Sequence, residues 1–327
     1  MLKEKVLYLL EQNKDRVITG GEIAKLLGVS RNAVWKAVNA LKKSGNDIEI
    51  LRNRGYRLAG DNDGLSKKII QEMLTTKKLG STIELFETIH STNTYFKEQD
   101  LSTLEEGHVV LADEQTSGRG RMNRSFFSPK RSGVYLSVLL KPNLPPEKTR
   151  LLTICAAVAV SNALQKVCDL KSQIKWVNDI FVNGKKLCGI LTEASIMAEM
   201  QLIDYVIVGI GINTGQVPKE VENIATSVFE ATGKQGFRNK LVAEVLNQFE
   251  KIYFDYTLNG NEAAILSSYS EKLIYINKRV VVNMFGSSFE ATVLGIDETG
   301  GLVVKNDDDR ILHINSGEIF LKTAYQP

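Results

Sequence analysis

The stretch Asp204–Asn213, DYVIVGIGIN, runs through eight residues without a charged side chain between its first and last positions. A strand apolar on both faces is stable only inside a sheet that is covered on each side. This run therefore predicts a central strand and a layered body built around it. Other segments supply the layers. Residues 133–140, GVYLSVLL, read as a second strand, and LPPEKTRLLTICAAVAVSNALQKV as a long buried helix. Residues 84–89 and 108–115 read as strands, and Leu65–Leu79 as a helix. IKWVNDIFVNGKKLCGILTEAS reads as two strands joined by a hairpin turn at Asn183-Gly184. Helices are expected over 238–258 and around 261–272. From Ile274 onward short strands alternate with glycine turns, the texture of a small β-barrel. Strands and helices mix without a regular βαβ beat, so the body is α+β.

With 327 residues the chain is longer than one core usually holds. Hydrophobic content of 43% and charged content of 24% are those of an ordinary globular protein. No apolar run is expected to approach the length of a membrane span, and the charged start MLKEKVLYLLEQNKDR does not read as a signal peptide. Cys155, Cys168 and Cys188 are far apart and suggest reduced thiols in a cytoplasmic protein. His90, His108 and His313 are equally scattered, which argues against a zinc site.

Charge is unevenly distributed. Residues 1–60 hold 12 Lys/Arg against 6 Asp/Glu, a balance of 12 − 6 = +6, and the remainder carries 29 − 32 = −3. A basic first module suggests a polyanion as partner. Leu2–Asn13 is amphipathic. Thr19 and Glu22 have the spacing of a capping box before GGEIAKLLG, and Gly28 ends that helix. Ser30 caps RNAVWKAVNALKKSG, which Gly45 closes. Two helices around a tight turn make a helix-turn-helix. Ser30, Arg31, Asn32, Trp35 and Lys36 lie at the start of the second helix, the part that reaches base edges. IEILRNRGYRL then reads as a β-hairpin wing, with Arg52 and Arg54 at its tip for phosphates. The alternative is a protein-contact module of the same shape. Residues 59–66 read as a linker. The expected domains are 1–63, 64–273 and 274–327.

The body lacks G-x-x-x-x-G-K-[ST], G-x-S-x-G and H-E-x-x-H. Polar clusters instead stand near strand ends: His90–Asn93, Gln115–Arg124, Lys175–Asp179 and Lys185-Lys186. Each alone has an ordinary explanation as a cap, a turn or a solvated tip. The segment Ser117–Arg124, SGRGRMNR, is the hardest to explain that way. Its glycines let backbone N–H groups converge on an anion, and its arginines add bidentate donors.

Together these motifs resemble the bifunctional biotin–protein ligases that also act as biotin operon repressors. The resemblance rests on STN at 91–93, EQTSGRGRMNRSFFSP at 114–129, KWVND at 175–179, KKLCGILTE at 185–193 and GIGIN at 209–213, in the family's order. It spans essentially the whole chain. Family members often carry Gly at the place of Asn123, Trp at that of Phe126 and Pro at that of Val177.

The resemblance implies a winged helix-turn-helix, a central biotin/lipoate-ligase-like domain with a mixed sheet, and a C-terminal SH3-like β module. It implies an ATP-dependent ligase that forms biotinyl-5'-AMP and passes biotin to a lysine of a biotin carboxyl carrier protein, a subunit of acetyl-CoA carboxylase, or of other biotin-accepting enzymes. Arg121 and Lys186 are the implied catalytic residues. Ser91, Thr92, Asn93, Gln115, Arg119, Gly120, Arg121, Lys186 and Gly189 would bind biotin, with Cys188–Ile190 and Gly209–Gly211 as apolar wall. Arg119, Arg121, Arg124, Phe126, Asn178, Asp179, Lys186 and Asn213 would hold ATP or the adenylate, with Mg2+ bridging phosphates. Biotinyl-5'-AMP would be the corepressor, promoting a homodimer on operator DNA. A lipoate or octanoate transferase and a catalytically silent sensor remain as alternatives.

Overall fold

The computed structural model describes residues 2–13, 16–43, 46–52, 54–58, 63–197, 199–284 and 287–321. The first unit contains α1 (Leu2–Glu11), α2 (Gly20–Leu27) and α3 (Arg31–Lys43), followed by β1 (Ile48–Leu51) and β2 (Gly55–Leu58). The capping box forms: Glu22 N donates to Thr19 Oγ1 at 3.1 Å, and Thr19 N donates to the Glu22 carboxylate at 2.8 Å. Gly28 turns the chain at φ 64°, and Ser30 Oγ accepts from Ala33 N. β1 pairs antiparallel with β2, and Ile18 bridges to Tyr56, which completes the wing. At Gly55 (φ 130°) a Cβ would stand 2.3 Å from the Ile18 carbonyl oxygen, so no side chain fits there. Val6, Leu10, Ile18, Ile23, Val34, Val38 and Ile48 form a core of this unit's own. Gly45, the wing-tip residue Asn53 and linker residues 59–62 lie outside the described residues.

The body contains α4 (Lys67–Met73), β3 (Ile83–Phe86), α5 (Thr92–Lys97), β4 (Val109–Ala112), β5 (Gly133–Leu140), α6 (Thr149–Cys168), β6 (Gln173–Lys175), β7 (Asp179–Val182), β8 (Lys185–Met197), β9 (Leu202–Asn213), α7 (Val228–Thr232), α8 (Arg238–Asn259) and α9 (Glu262–Ser270). Its sheet runs β3-β4-β5-β9-β8-β7-β6. Only β3 and β4 are parallel, so the sheet is mixed. The two-faced apolar run at 204–213 lies in β9, the middle of the seven strands. Val206, Val208, Ile210 and Ile212 face the core that contains α6 and α8, while Ile207 packs with Phe96 of α5 on the other face. Asn183 (φ 51°) and Gly184 (φ 77°) make the two-residue turn between β7 and β8.

Two expectations are corrected. Helix α4 ends at Met73 rather than running to Leu79. The N–H groups that would continue it are taken by α8: Thr75 N donates to Asn247 Oδ1, and Lys77, Lys78 and Leu79 N donate to the Glu250 carboxylate. Tertiary hydrogen bonds satisfy the backbone there, so helical pairing is unnecessary. Secondly, Pro146–Cys168 is long and apolar enough to cross a membrane by length and composition. Of its most apolar window 78% is buried inside the fold, where it serves as the core helix beneath the sheet.

The C-terminal module is a five-stranded antiparallel sheet, ordered β13-β12-β11-β10-β14, from β10 (Arg279–Met284), β11 (Ser287–Ile296), β12 (Leu302–Asn306), β13 (Ile311–Ile314) and β14 (Glu318–Leu321). Its apolar residues Val280, Val293, Leu302 and Ile319 belong to the same core as the body. Trp176 Nε1 donates to Gly300 O at 3.0 Å, and Arg150 donates to Thr299 O and Asn315 O.

Candidate active site

Alternation along β9 creates the floor of a cavity. Ile207, Gly209 and Gly211 share one face, and the two glycines leave it without side chains. On the neighbouring strand Gly189 lies opposite Gly211, and Leu191 opposite Gly209. The resulting cavity, about 130 Å³, is lined by Ser91, Thr92, Asn93, Gln115, Arg119, Gly120, Arg121, Arg124, Phe126, Asn178, Asp179, Lys186 and Gly189, together with residues of the floor. Four separate sequence clusters therefore meet in one place. Asn213 does not join them: it ends β9 and donates its amide to Thr226 O at 3.1 Å. Cys188 is fully buried behind the wall, and burial pushes its thiol far above its usual pKa, which makes it inert as a nucleophile.

One side of the cavity is polar and fixed. Gln115 Oε1 accepts from Thr92 N at 2.8 Å and from Thr92 Oγ1 at 3.1 Å, while its Nε2 donates to Ser128 Oγ. Ser137 Oγ reaches Thr92 Oγ1 at 2.7 Å and Asn93 Oδ1 at 2.6 Å. Asn93 Nδ2 donates to Glu193 at 2.9 Å. Asn93 is 3% exposed and bonded at both ends of its amide, so it braces the site from beneath. At Gly209 a Cβ would stand 2.2 Å from Asn93 Oδ1, which explains the glycine.

The basic loop is a small hairpin. Phe126 N donates to Gly118 O at 2.8 Å, and Gly120 N to Arg124 O at 2.7 Å. Its tip takes left-handed backbone at Met122 (φ 54°) and Asn123 (φ 57°). Asparagine tolerates that conformation better than most other non-glycine residues, which suits Asn123 to this turn. Phe126 folds back over the glycine floor: a Cβ on Gly211 would meet its ring at 2.5 Å. The Trp176–Val177 peptide is cis.

Each cation of the cavity is held by a partner within the chain. Lys186 Nζ lies 2.8 Å from Asp179 Oδ1. Arg121 NH1 donates to Asn178 Oδ1 at 2.8 Å, and NH2 to Gly317 O at 3.4 Å. Arg119 lies 3.4 Å from Glu193, and Arg124 makes a bidentate pair with Glu318 at 2.7 and 2.8 Å. Burial works to raise the Glu193 carboxyl, but Lys97, Asn93 and Arg119 outweigh it and hold the pKa below the usual value. Burial lowers the pKa of Lys175, whose Nζ sits 4.4 Å from the Phe320 ring centroid. Such an array concentrates donors around a small volume and suits a ligand with several anionic oxygens. No group of three or more metal-ligating side chains occurs among the described residues.

Residues 85–213 match the family described as biotin/lipoate A/B protein ligase, residues 3–57 an HTH domain, and residues 275–322 the biotin protein ligase C-terminal domain. The bifunctional ligase/repressor BirA of Bacillus subtilis is 36% identical over 324 residues, 98% of each chain. Its namesake from Escherichia coli is 27% identical over 308 residues, covering 94% of this chain and 93% of its own. The chain belongs to the biotin protein ligase family. The biotin protein ligase from Aquifex aeolicus, solved in complex with biotin and ATP, superposes with a TM-score of 0.63 at 29% identity, covering 73% of this chain and 98% of that one.

Family membership does not by itself account for Glu193, Glu318 or Ser137, none of which was expected in the site. Glu193 was legible: it follows Gly189 and Leu191 by the two-residue step of one strand face. Ser137 lies on β5, where a polar residue in an otherwise apolar strand marks a buried partner. Glu318 had no signal, because it comes from β14 of another module.

Among the residues expected to meet DNA, Ser30, Arg31, Asn32, Trp35 and Lys36 are exposed at the start of α3, and Arg52 and Arg54 are exposed on the wing. Trp35 keeps 53% of its surface accessible, which a core function would not allow. Val34, Ala37, Val38 and Leu41 fill the opposite face.

Proposed function

We propose that this chain is a biotin–protein ligase and a biotin-responsive transcriptional repressor. The observation that carries the enzymatic half is the convergence of Arg119, Arg121, Arg124 and Lys186 over a glycine floor, beside a fixed Thr92–Gln115 hydrogen-bonding wall. The glycine floor leaves room for the fused ring system and valeryl chain of biotin. The hydroxyls of Ser91 and Thr92, with Gln115, present donors and acceptors to its ureido group.

In the first step a biotin carboxylate oxygen attacks the α-phosphorus of ATP. The bond to the bridging oxygen breaks, pyrophosphate leaves, and biotinyl-5'-AMP remains. Both reactants are anions, so orientation and positive charge do most of the catalysis. Arg121 and Lys186 neutralise the carboxylate–phosphate junction, which requires them to leave Asn178 and Asp179. Arg119 and Arg124 hold the outer oxygens. Asn178, Asp179 and Phe126 lie on the nucleotide side. Asp179 would hold Mg2+ together with the ATP phosphates, and the ion would supply positive charge to the polyphosphate. In the second step the neutral amine of a carrier lysine attacks the mixed anhydride. The amide forms, AMP leaves, and the amine loses a proton.

The loop that covers the adenylate protects it from water and changes the surface around the site. A homodimer promoted by biotinyl-5'-AMP would place two α3 helices on the half-sites of operator DNA in the cytoplasm. The acceptor is a biotin carboxyl carrier protein. The test is exchange of labelled pyrophosphate into ATP by purified protein with biotin, lipoate or octanoate. Exchange with biotin alone is expected. Exchange with lipoate or octanoate would move the chain to the sister activity, and none with any acid would leave a ligand sensor.

A further inference from the structure

The basic loop is bounded by two roots, Asp113 after β4 and Gly133 at the start of β5. Both roots meet the same side chain. Arg238, the first residue of α8, is 0% exposed and the largest fully buried side chain among the described residues. Its NH2 donates to Asp113 Oδ1 at 2.7 Å and its Nε to Gly133 O at 2.9 Å. Its NH1 donates to Asp63 O at 2.9 Å, and its backbone N donates to Asp63 Oδ1 at 2.9 Å. Asp63 is the first described residue after the linker that carries the winged helix. Asp113 in turn accepts the backbone N–H of Arg131 through its carbonyl, which closes the root of the loop.

A buried guanidinium is costly unless every donor finds a partner. Here the partners come from three places that the chain could have kept separate: the linker end and the two loop roots. Alpha-helical packing alone does not call for an arginine at this position, since α8 is otherwise held by Leu241, Val242, Val245 and Leu246 in the core. A hydrophobic residue would serve packing at lower desolvation cost. The neighbouring Asn239 repeats the theme, with its Oδ1 accepting from Ser66 N at 2.8 Å and its Nδ2 donating to Gly64 O at 2.8 Å. The start of α8 thus grips the linker end over Asp63–Ser66 while it holds the loop.

We infer that Arg238 is a positioning residue that joins the basic loop to the linker, so that ordering of the loop on ligand and the setting of the winged helix are coupled through one guanidinium. It touches no substrate. Any displacement of the loop roots on closure changes the geometry at Asp113 and Gly133, and the same planar group transmits that change to Asp63. Lysine at this position keeps the charge but cannot span three acceptors with a rigid fork.

The inference rests on the proposed ligase and repressor reading, and the experiment separates the two. Wild-type protein, Arg238→Lys and Asp113→Asn are compared as full chains. Asp113→Asn keeps an acceptor oxygen and is the variant that preserves folding if Arg238→Lys does not. Pyrophosphate exchange, amide hydrogen exchange with and without biotin and ATP, and binding to a duplex pool enriched from random sequence by the wild-type protein are measured. In the wild type, biotin and ATP should slow exchange both in the 113–133 segment and at 63–66, and should raise DNA affinity. In the variants the loop should still respond while 63–66 does not, and the ligand-induced gain in DNA affinity should fall by about fivefold or more. Pyrophosphate exchange should survive, with a raised KM for biotin and little change in kcat. Variants that keep the full ligand-induced gain and the response at 63–66 would overturn the inference. Absence of biotin-dependent exchange in the wild type would instead overturn the ligase reading.

Discussion

The winged helix and the C-terminal module are of similar size, yet they relate to the body in opposite ways. The winged helix keeps a separate core and touches the body through polar contacts such as Lys3–Glu87 at 2.7 Å and Lys68 Nζ over the Tyr8 ring at 3.3 Å. Among the described residues, the C-terminal sheet shares one core with the body. Its apolar residues continue the body's core, Gly300 lies against Leu151 and Ile154, Glu318 lines the cavity, and Gly317 O accepts from Arg121. An independent core lets a module move as a unit, which suits DNA binding under ligand control. A shared core fixes a module in place, which suits a wall of an active site.

The largest expected effect breaks the comparison directly. A chain beginning at residue 60 should fold, melt cooperatively and retain biotin-dependent pyrophosphate exchange. A chain ending at Leu273 should lose both, because it leaves Leu151, Ile154 and Trp176 uncovered. Soluble, active protein from the second truncation and none from the first would reverse the assignment of roles.

Within the site, Arg121→Ala and Lys186→Ala should each lower kcat/KM for adenylate formation by about 10²–10³, the usual cost of removing a charge-stabilising donor. DNA binding without ligand should be unaffected, which assays with biotin omitted can show. For the winged helix the complementary change is Arg54→Ala. It should weaken DNA binding across sequences and reduce the salt slope by about one, with pyrophosphate exchange unchanged. An unaltered slope would remove the wing from the DNA contact.

The smallest effect concerns pH. The Glu193 carboxyl is held below its usual value in the fold. A carboxylate with a depressed folded pKa binds fewer protons folded than unfolded, so its contribution is present above the unfolded value of about 4.3 and is lost as pH falls through the folded one. Glu193→Gln should therefore narrow the stability difference between neutral and acid solution, read from urea midpoints at several pH values. A wider difference would contradict the role given to the Lys97 and Asn93 contacts.

Local signals carried the fold a long way. The capping box at Thr19, the turn at Asn183-Gly184 and the two-faced apolar run of β9 each appear where local chemistry places them, because each depends on neighbours in sequence. Helix α4 stopped early for a reason no local pattern holds, since Asn247 and Glu250 lie some 170 residues away. The same division applies to the site. Gly118 to Arg124 and the Lys186 motif could be read directly, since glycine freedom and cationic charge are properties of the residues themselves.

What sequence by itself determined was therefore the inventory: three modules, a central strand, a basic glycine-bearing loop and an exposed basic helix. What only the tertiary structure decided was the pairing of that inventory. It left Asn213 out of the cavity, brought Glu318 in from another module, and gathered the linker and both loop roots onto Arg238. Those contacts join residues far apart in the chain. Their strength comes from burial and matched donor geometry, which exist only once the chain has folded.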